Sequence, residues 1–81
     1  MSTRYRYPAN LEIDSTGAVS VWFDDLPGAT FGKTEAEALL RAQALLATGI
    51  EMLIEDSAAI PLPAPANGRP IVEAVVETAL A

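Results

Sequence analysis

Cysteine and histidine are both absent from the 81 residues. Their absence removes structural zinc sites, disulfide staples, thiol nucleophiles and histidine-based acid–base catalysis together. Cations are scarce too: five Lys and Arg stand against eleven Asp and Glu, a formal net charge of −6. Three of the five, Arg4, Arg6 and Arg69, sit at or near the chain ends. Neutralising phosphate needs clustered Lys and Arg, so direct nucleic-acid binding is not expected. An acidic surface instead suits a basic partner, although acidity also serves plain solubility. No stretch approaches the ~20 apolar residues of a membrane span. Met1-Ser2-Thr3 leads straight into a strand pattern with no cationic and apolar leader before it, so the cytoplasm is the expected location. No cofactor is expected.

What is present fits a single domain over residues 1–81. A chain this short hides only ~60% of the surface it exposes when unfolded, so its own core gives marginal stability. With 51% hydrophobic residues and no covalent staple, association is the remaining way to bury more apolar area, and a homo-oligomer or stable complex is expected.

Tyr5, Tyr7, Ala9, Leu11 and Ile13 alternate with Arg4, Arg6, Asn10 and Glu12, the period of a strand with one face on a core. Pro8 interrupts it and must face an unpaired edge, sit at a bulge or start the regular pairing. Asp14-Ser15-Thr16-Gly17 is a turn. Ala18 to Asp24 reads as the second strand of a hairpin, Val19, Val21 and Phe23 facing one way and Ser20, Trp22 and Asp24 the other. Pro27 and Gly28 have the chemistry of a type II turn. Ala29 to Phe31 is long enough for a short third strand, broken by Gly32-Lys33. Thr34 with Glu37 spells a capping box, so a helix starts here and runs to about Glu55. Leu39, Ala42, Leu46, Ile50 and Leu53 form its apolar stripe, opposite Glu37, Arg41, Thr48, Glu51 and Glu55. Leu40 and Met52 widen the apolar arc beyond what a three-stranded sheet covers. Gly49 costs ~1 kcal/mol against alanine in a helix interior, and close packing of the helix backbone on the sheet is its expected cause. Ile60 to Ala66 is too proline-rich for helix or interior strand and runs extended. Asn67-Gly68 turns the chain. Pro70 to Val76 reads as a last strand, expected to arrive by a crossover in a parallel position. Glu77 to Ala81 reads as the start of a further helix.

Little of this is chemistry. Asp24-Asp25 is the one adjacent acid pair outside the helix and its end, but strand neighbours point to opposite faces and a metal site draws acids onto one. The pair reads as solvated or as bonding the donors of the Pro27-Gly28 turn. Gly28 to Thr34 ends like a phosphate loop, yet three residues separate its glycines instead of four and no long apolar strand precedes it. Trp22, the single tryptophan, either anchors a partner or packs on an aromatic of the first strand.

Taken together, Tyr7-Pro8-Ala9, Asp14 with Gly17, Val21 with Phe23 and Asp25-Leu26-Pro27-Gly28, Gly32 with Thr34 and Glu37-Ala38-Leu39, and Ile60-Pro61-Leu62-Pro63 resemble the HicB family of antitoxins of type II toxin-antitoxin systems, in its N-terminal domain. The order and spacing agree over about residues 5 to 76. The structural motif positions are Tyr7, Pro8, Asp25, Pro27, Gly28, Gly32 and Thr34. Departures are Asp24, where the family commonly has proline, and Lys33, where it commonly has aspartate and where one acid beside the helix start is thereby lost. The resemblance implies an α+β fold, partial ribonuclease-H-like in β-β-β-α-β order, without nuclease activity. In it a three-stranded antiparallel meander carries one covering helix, and a last strand lies alongside the first. It further implies a partner: a small basic RNA-cleaving toxin of the HicA type, whose RNA-binding surface the antitoxin masks. Many members continue into a C-terminal DNA-binding segment; this chain ends where that would begin, so operator binding does not transfer to these residues. On charge, the expected partner-facing residues are Trp22, Asp24, Asp25, Glu37, Glu51 and Glu55. The alternative is a toxin-independent oligomeric module, structural or ligand-binding, without catalysis.

Overall fold

In the computed structural model, which describes residues 2–77, six elements follow one another. They are β1 (Ser2–Pro8), β2 (Asn10–Ile13), β3 (Val19–Trp22), β4 (Ala29–Gly32), α1 (Glu35–Glu55) and β5 (Ile71–Glu77). The architecture is α+β with antiparallel pairing throughout. β2, β3 and β4 form the meander, while β1 pairs with β5. The single first strand of the sequence reading is therefore two. Pro8, lacking an N–H, closes the β1 ladder opposite Ile71, and from Asn10 onward the chain pairs with β3 instead. Ala9 marks the change of partner, its N–H donating to Pro70 O at 2.9 Å.

Local signals formed as their chemistry directs. Asp14 Oδ1 accepts from the Thr16 and Ala18 N–H groups, and Gly17 takes φ +90. Gly28 takes φ +100 in the turn opened by Pro27. Thr34, extended at φ −133, accepts from Glu37 N at 3.1 Å. The Glu37 carboxylate reaches one residue further back than a standard capping box would place it, accepting from Lys33 N at 3.2 Å. The helix ends as a Schellman motif: Ser57, at φ +53, donates to Ile54 O and Ala58 N to Leu53 O.

The core gathers Tyr7, Ala9, Val19, Val21, Phe23 and Leu26 from the strand side, Val72, Ala74 and Val76 from β5, and Ala38, Ala42, Leu46 and Ile50 from α1. The fully covered helix stripe thus begins at Ala38, and Leu39 is only half-buried. Small residues at the helix start matter because Gly32 sits directly under them. A Cβ built on Gly32 would lie 2.5 Å from Ala38 N, so the end of β4 meets the helix backbone with no side chain between. Leu46 and Ile50 fill the wider gap further along.

The last strand corrects the expected topology. β5 runs antiparallel to β1, with Pro8 opposite Ile71 and Ser2 opposite Glu77. The reason lies in the proline-rich return. Tyr7 OH donates to Pro61 O, Asp25 Oδ2 accepts from Ala64 N at 3.2 Å, and the left-handed pair Asn67-Gly68 turns the chain back onto Pro70. Fastened there, the chain re-enters the sheet at its middle, opposite Pro8, and can only run toward Ser2. Of the expected C-terminal helix, Glu77 ends β5 and residues 78–81 lie outside the described residues.

Candidate functional site

The residues expected to face a partner do not form one patch. Trp22 and Asp24 lie on the sheet face turned away from the core, where Trp22 is half-buried between Asn10 and Ala29 of the neighbouring strands. No aromatic of the first strand stands opposite it in the ladder. Glu37 is in the first helical turn, capping Lys33 and pairing with Arg41 at 3.5 Å. Glu51 and Glu55 stand near the other end of α1, ~20 Å along the axis.

Asp24 and Asp25 are fasteners of the return segment, neither simply solvated nor bonded to the Pro27-Gly28 turn. Asp25 holds Ala64, as described above. Asp24 accepts from Arg69 Nη1 and from Asn10 Nδ2, both at 2.8 Å. Arg69 also donates to Asn10 Oδ1 and to the carbonyls of Pro65 and Ala66, locking both sides of the turn. The sequence marked Arg69 only as a cation near the chain end; its side-chain partners, Asn10 and Asp24, are more than 40 residues away and left no local signal.

The hydrogen bond from Arg69, then that from Asn10, then the charge of Arg69 hold the Asp24 carboxyl below its ordinary value of 3.8. A carboxylate lowered in the folded state adds stability above the unfolded pKa and loses it as pH falls through the folded one. Acid titration of unfolding is therefore expected to show stability declining below about pH 4. The gap between wild type and Asp24→Asn should be widest at neutral pH and close toward strong acid. A pH-independent gap would remove Asp24 from this linkage.

The C-terminal half of α1 is different in kind. Glu51, Glu55 and the cap residue Asp56 are exposed, and among the described residues their carboxylates have no hydrogen bond or ion pair. The last turn carries no basic residue. Glu51 and Glu55 repel at i,i+4, and all three sit at the negative end of the helix dipole, so the arrangement opposes the helix's own stability. Between the acids are exposed apolar groups: Met52 at 58% and Ile54 at 36%. On one flank Glu51, Ile54 and Glu55 line a shallow depression together with Glu77 of β5. On the other, Leu26, Pro27, Leu45, Thr48, Gly49, Met52, Leu53 and Asp56 line a hollow of about 220 Å³. Gly49 is thus not pressed on the sheet as expected: a Cβ added there meets nothing within 4 Å.

This surface can bind a cationic, partly apolar counterpart. Among the described residues no group of three or more Asp and Glu is placed to hold a metal ion, and no helix is long and apolar enough to cross a membrane. Compared with known families, residues 6–80 match the one described as HicB_like antitoxin of bacterial toxin-antitoxin system. The chain belongs to that HicB-like antitoxin family. No curated protein matches it in sequence. In this HicB-like chain Asp24 has a structural role, since its carboxylate holds Arg69. Of the residues expected to carry the structural motif, Pro8 sets the ladder change, Tyr7 and Asp25 fasten the return segment, Pro27 and Gly28 make the turn, Gly32 the strand–helix joint and Thr34 the cap.

Proposed function

We propose that this chain neutralises a small basic RNA-cleaving toxin of the HicA type by covering its RNA-binding surface, using the C-terminal half of α1. The observation that carries the reading is the unneutralised set Glu51, Glu55 and Asp56, interleaved with exposed Met52 and Ile54. An RNase that grips RNA presents cations, and such a surface can be blocked by fixed carboxylates that mimic phosphate while apolar neighbours supply adhesion. Asp24, Asp25 and Glu37 contribute to the acidic field, but their carboxylates are engaged internally. Inhibition is by occlusion, with no catalysis, cofactor or direct nucleic-acid contact by these residues, and it takes place in the cytoplasm. The antiparallel meander followed by one helix and a last strand beside the first supports a partial ribonuclease-H-like description, from which the antiparallel β5 and the split at Pro8 depart.

A homo-oligomer is part of the same reading. Among the described residues β5 is paired with β1 on one side only, and the exposed Ile71 and Val75 of β5 lie near exposed Leu40 of α1. An open ladder edge with apolar neighbours invites a second copy. Light scattering is expected to give at least a dimer.

The test is co-expression with the protein encoded beside this chain, which the reading expects to be basic. A complex that survives purification at low salt, weakens as salt rises, and restores growth in cells making the toxin is the expected result. A neighbour that is not basic, or that fails to associate at low salt, removes the reading. Cleavage of RNA by the purified chain alone would remove it as well.

A further inference from the structure

The hollow over Gly49 has no structural explanation within the chain. A glycine in a helix interior is destabilising relative to alanine. The usual compensation is close packing, and none exists, because the space above Gly49 is empty to 4 Å. The walls are nonetheless well supported. Leu45 is seated against Gly28, where an added Cβ would come within 3.2 Å of its Cδ1, and Leu26 is buried in the core. The floor is therefore open while the sides are fixed.

We infer that this hollow receives one long cationic side chain, arginine or lysine, from the basic partner, its stem against Leu45, Met52 and Leu53 and its charged head at Asp56. The inference rests on the docking reading above and names one contact within it. Three observations select this occupant. At about 220 Å³ the cavity falls below the ~300 Å³ from which small-molecule pockets usually begin, and it suits a single side chain. Its walls are apolar, which matches an aliphatic stem. Its lip holds the Asp56 carboxylate, which has no partner among the described residues. A purely apolar occupant would cover that carboxylate without pairing it, which is unfavourable; a cation pairs it. The position at the negative end of α1 adds to the attraction.

Two variants test the contact against the neighbour-encoded basic protein. Gly49→Leu fills the hollow and Asp56→Ala removes the charge at its lip. Each is expected to weaken binding at least tenfold, and the double variant to lose less than the product of the two, as two changes to one contact do. Gly49→Ala, which only adds a methyl to the floor, should raise Tm by ~4 °C or more. A folded Gly49→Leu or Asp56→Ala that binds like wild type overturns the inference while leaving the antitoxin reading standing. If wild type itself binds nothing, that reading fails, and a direct probe still decides the hollow. NMR titration with N-acetyl-arginine amide at millimolar concentration should shift the amides of Thr48, Gly49, Met52 and Asp56, and N-acetyl-norleucine amide should shift them less. Equal shifts with the two probes, or none with the arginine probe, reject a cationic occupant.

Discussion

Gly32→Ala is expected to cost at least ~3 kcal/mol, a drop in Tm of roughly 12 °C or more in a domain of this size. The added methyl would stand 2.5 Å from Ala38 N and 2.9 Å from Ala38 Cα, with Glu37 C at 3.0 Å. These are backbone atoms of the first helical turn, which cannot swing aside as a side chain can. Relief requires α1 to lift from β4, and lifting uncovers Ala38 and Ala42, both fully buried. Total stability for a chain of this length is on the order of 4–12 kcal/mol, so the variant would lose between about a quarter and three-quarters of it. Thermal and denaturant unfolding of the pure protein measure the effect. An unchanged Tm would mean that the helix start is not seated on the strand. The contrast with Gly49→Ala sharpens the test: the same methyl, added to a glycine of the same chain, should move stability in opposite directions at the two positions.

Glu51→Lys/Glu55→Lys should separate binding from folding. Reversing both charges exchanges one like-charge i,i+4 pair for another, but it places cations at the helix end that lacks them, for a gain on the order of 0.5 kcal/mol from the helix dipole. The same change sets like charges against a basic toxin. Affinity for it is expected to fall at least ~100-fold at low salt, with the loss shrinking as salt screens the repulsion. A melting curve and a binding titration on one preparation give both values. Because the two effects have opposite signs, loss of inhibition could not be attributed to unfolding. Wild-type affinity in this variant would take the helix end out of the interface. The reversal at Asp24 and Asp25 is a poorer experiment, since those carboxylates hold Arg69 and Ala64 and their loss would free the return segment.

The site divides along the same line as the fold. The acids Glu51 and Glu55 were legible as an exposed helix face because helical spacing alone puts them there. Asp24 and Asp25 read as solvated or as bonded to their own turn, and they are neither, because Arg69 and Ala64, which they hold, lie on the far side of the helix in sequence. Asp56, Met52 and Gly49 form a hollow only once the Leu26-Pro27 turn is brought beside the helix end. Phe31, outside every expectation, is exposed and lies under the Arg41 guanidinium at 6.0 Å from the ring centre, a contact across ten positions of sequence.

The amino-acid order by itself determined the turns at Gly17 and Gly28, the cap at Thr34, the length of α1, the alternation that buries Val19, Val21 and Phe23, and the acidic, cysteine-free character that points to a basic partner. These depend on interactions within about four residues or on bulk charge, so each can be read from its own neighbourhood. Only the tertiary structure decided that the strand interrupted at Pro8 changes partner there, that β5 runs antiparallel, that Asp24 serves Arg69, and that Gly49 lies under open space. Those depend on which distant segment arrives alongside, and pairing at a distance leaves no periodicity in the chain that makes it.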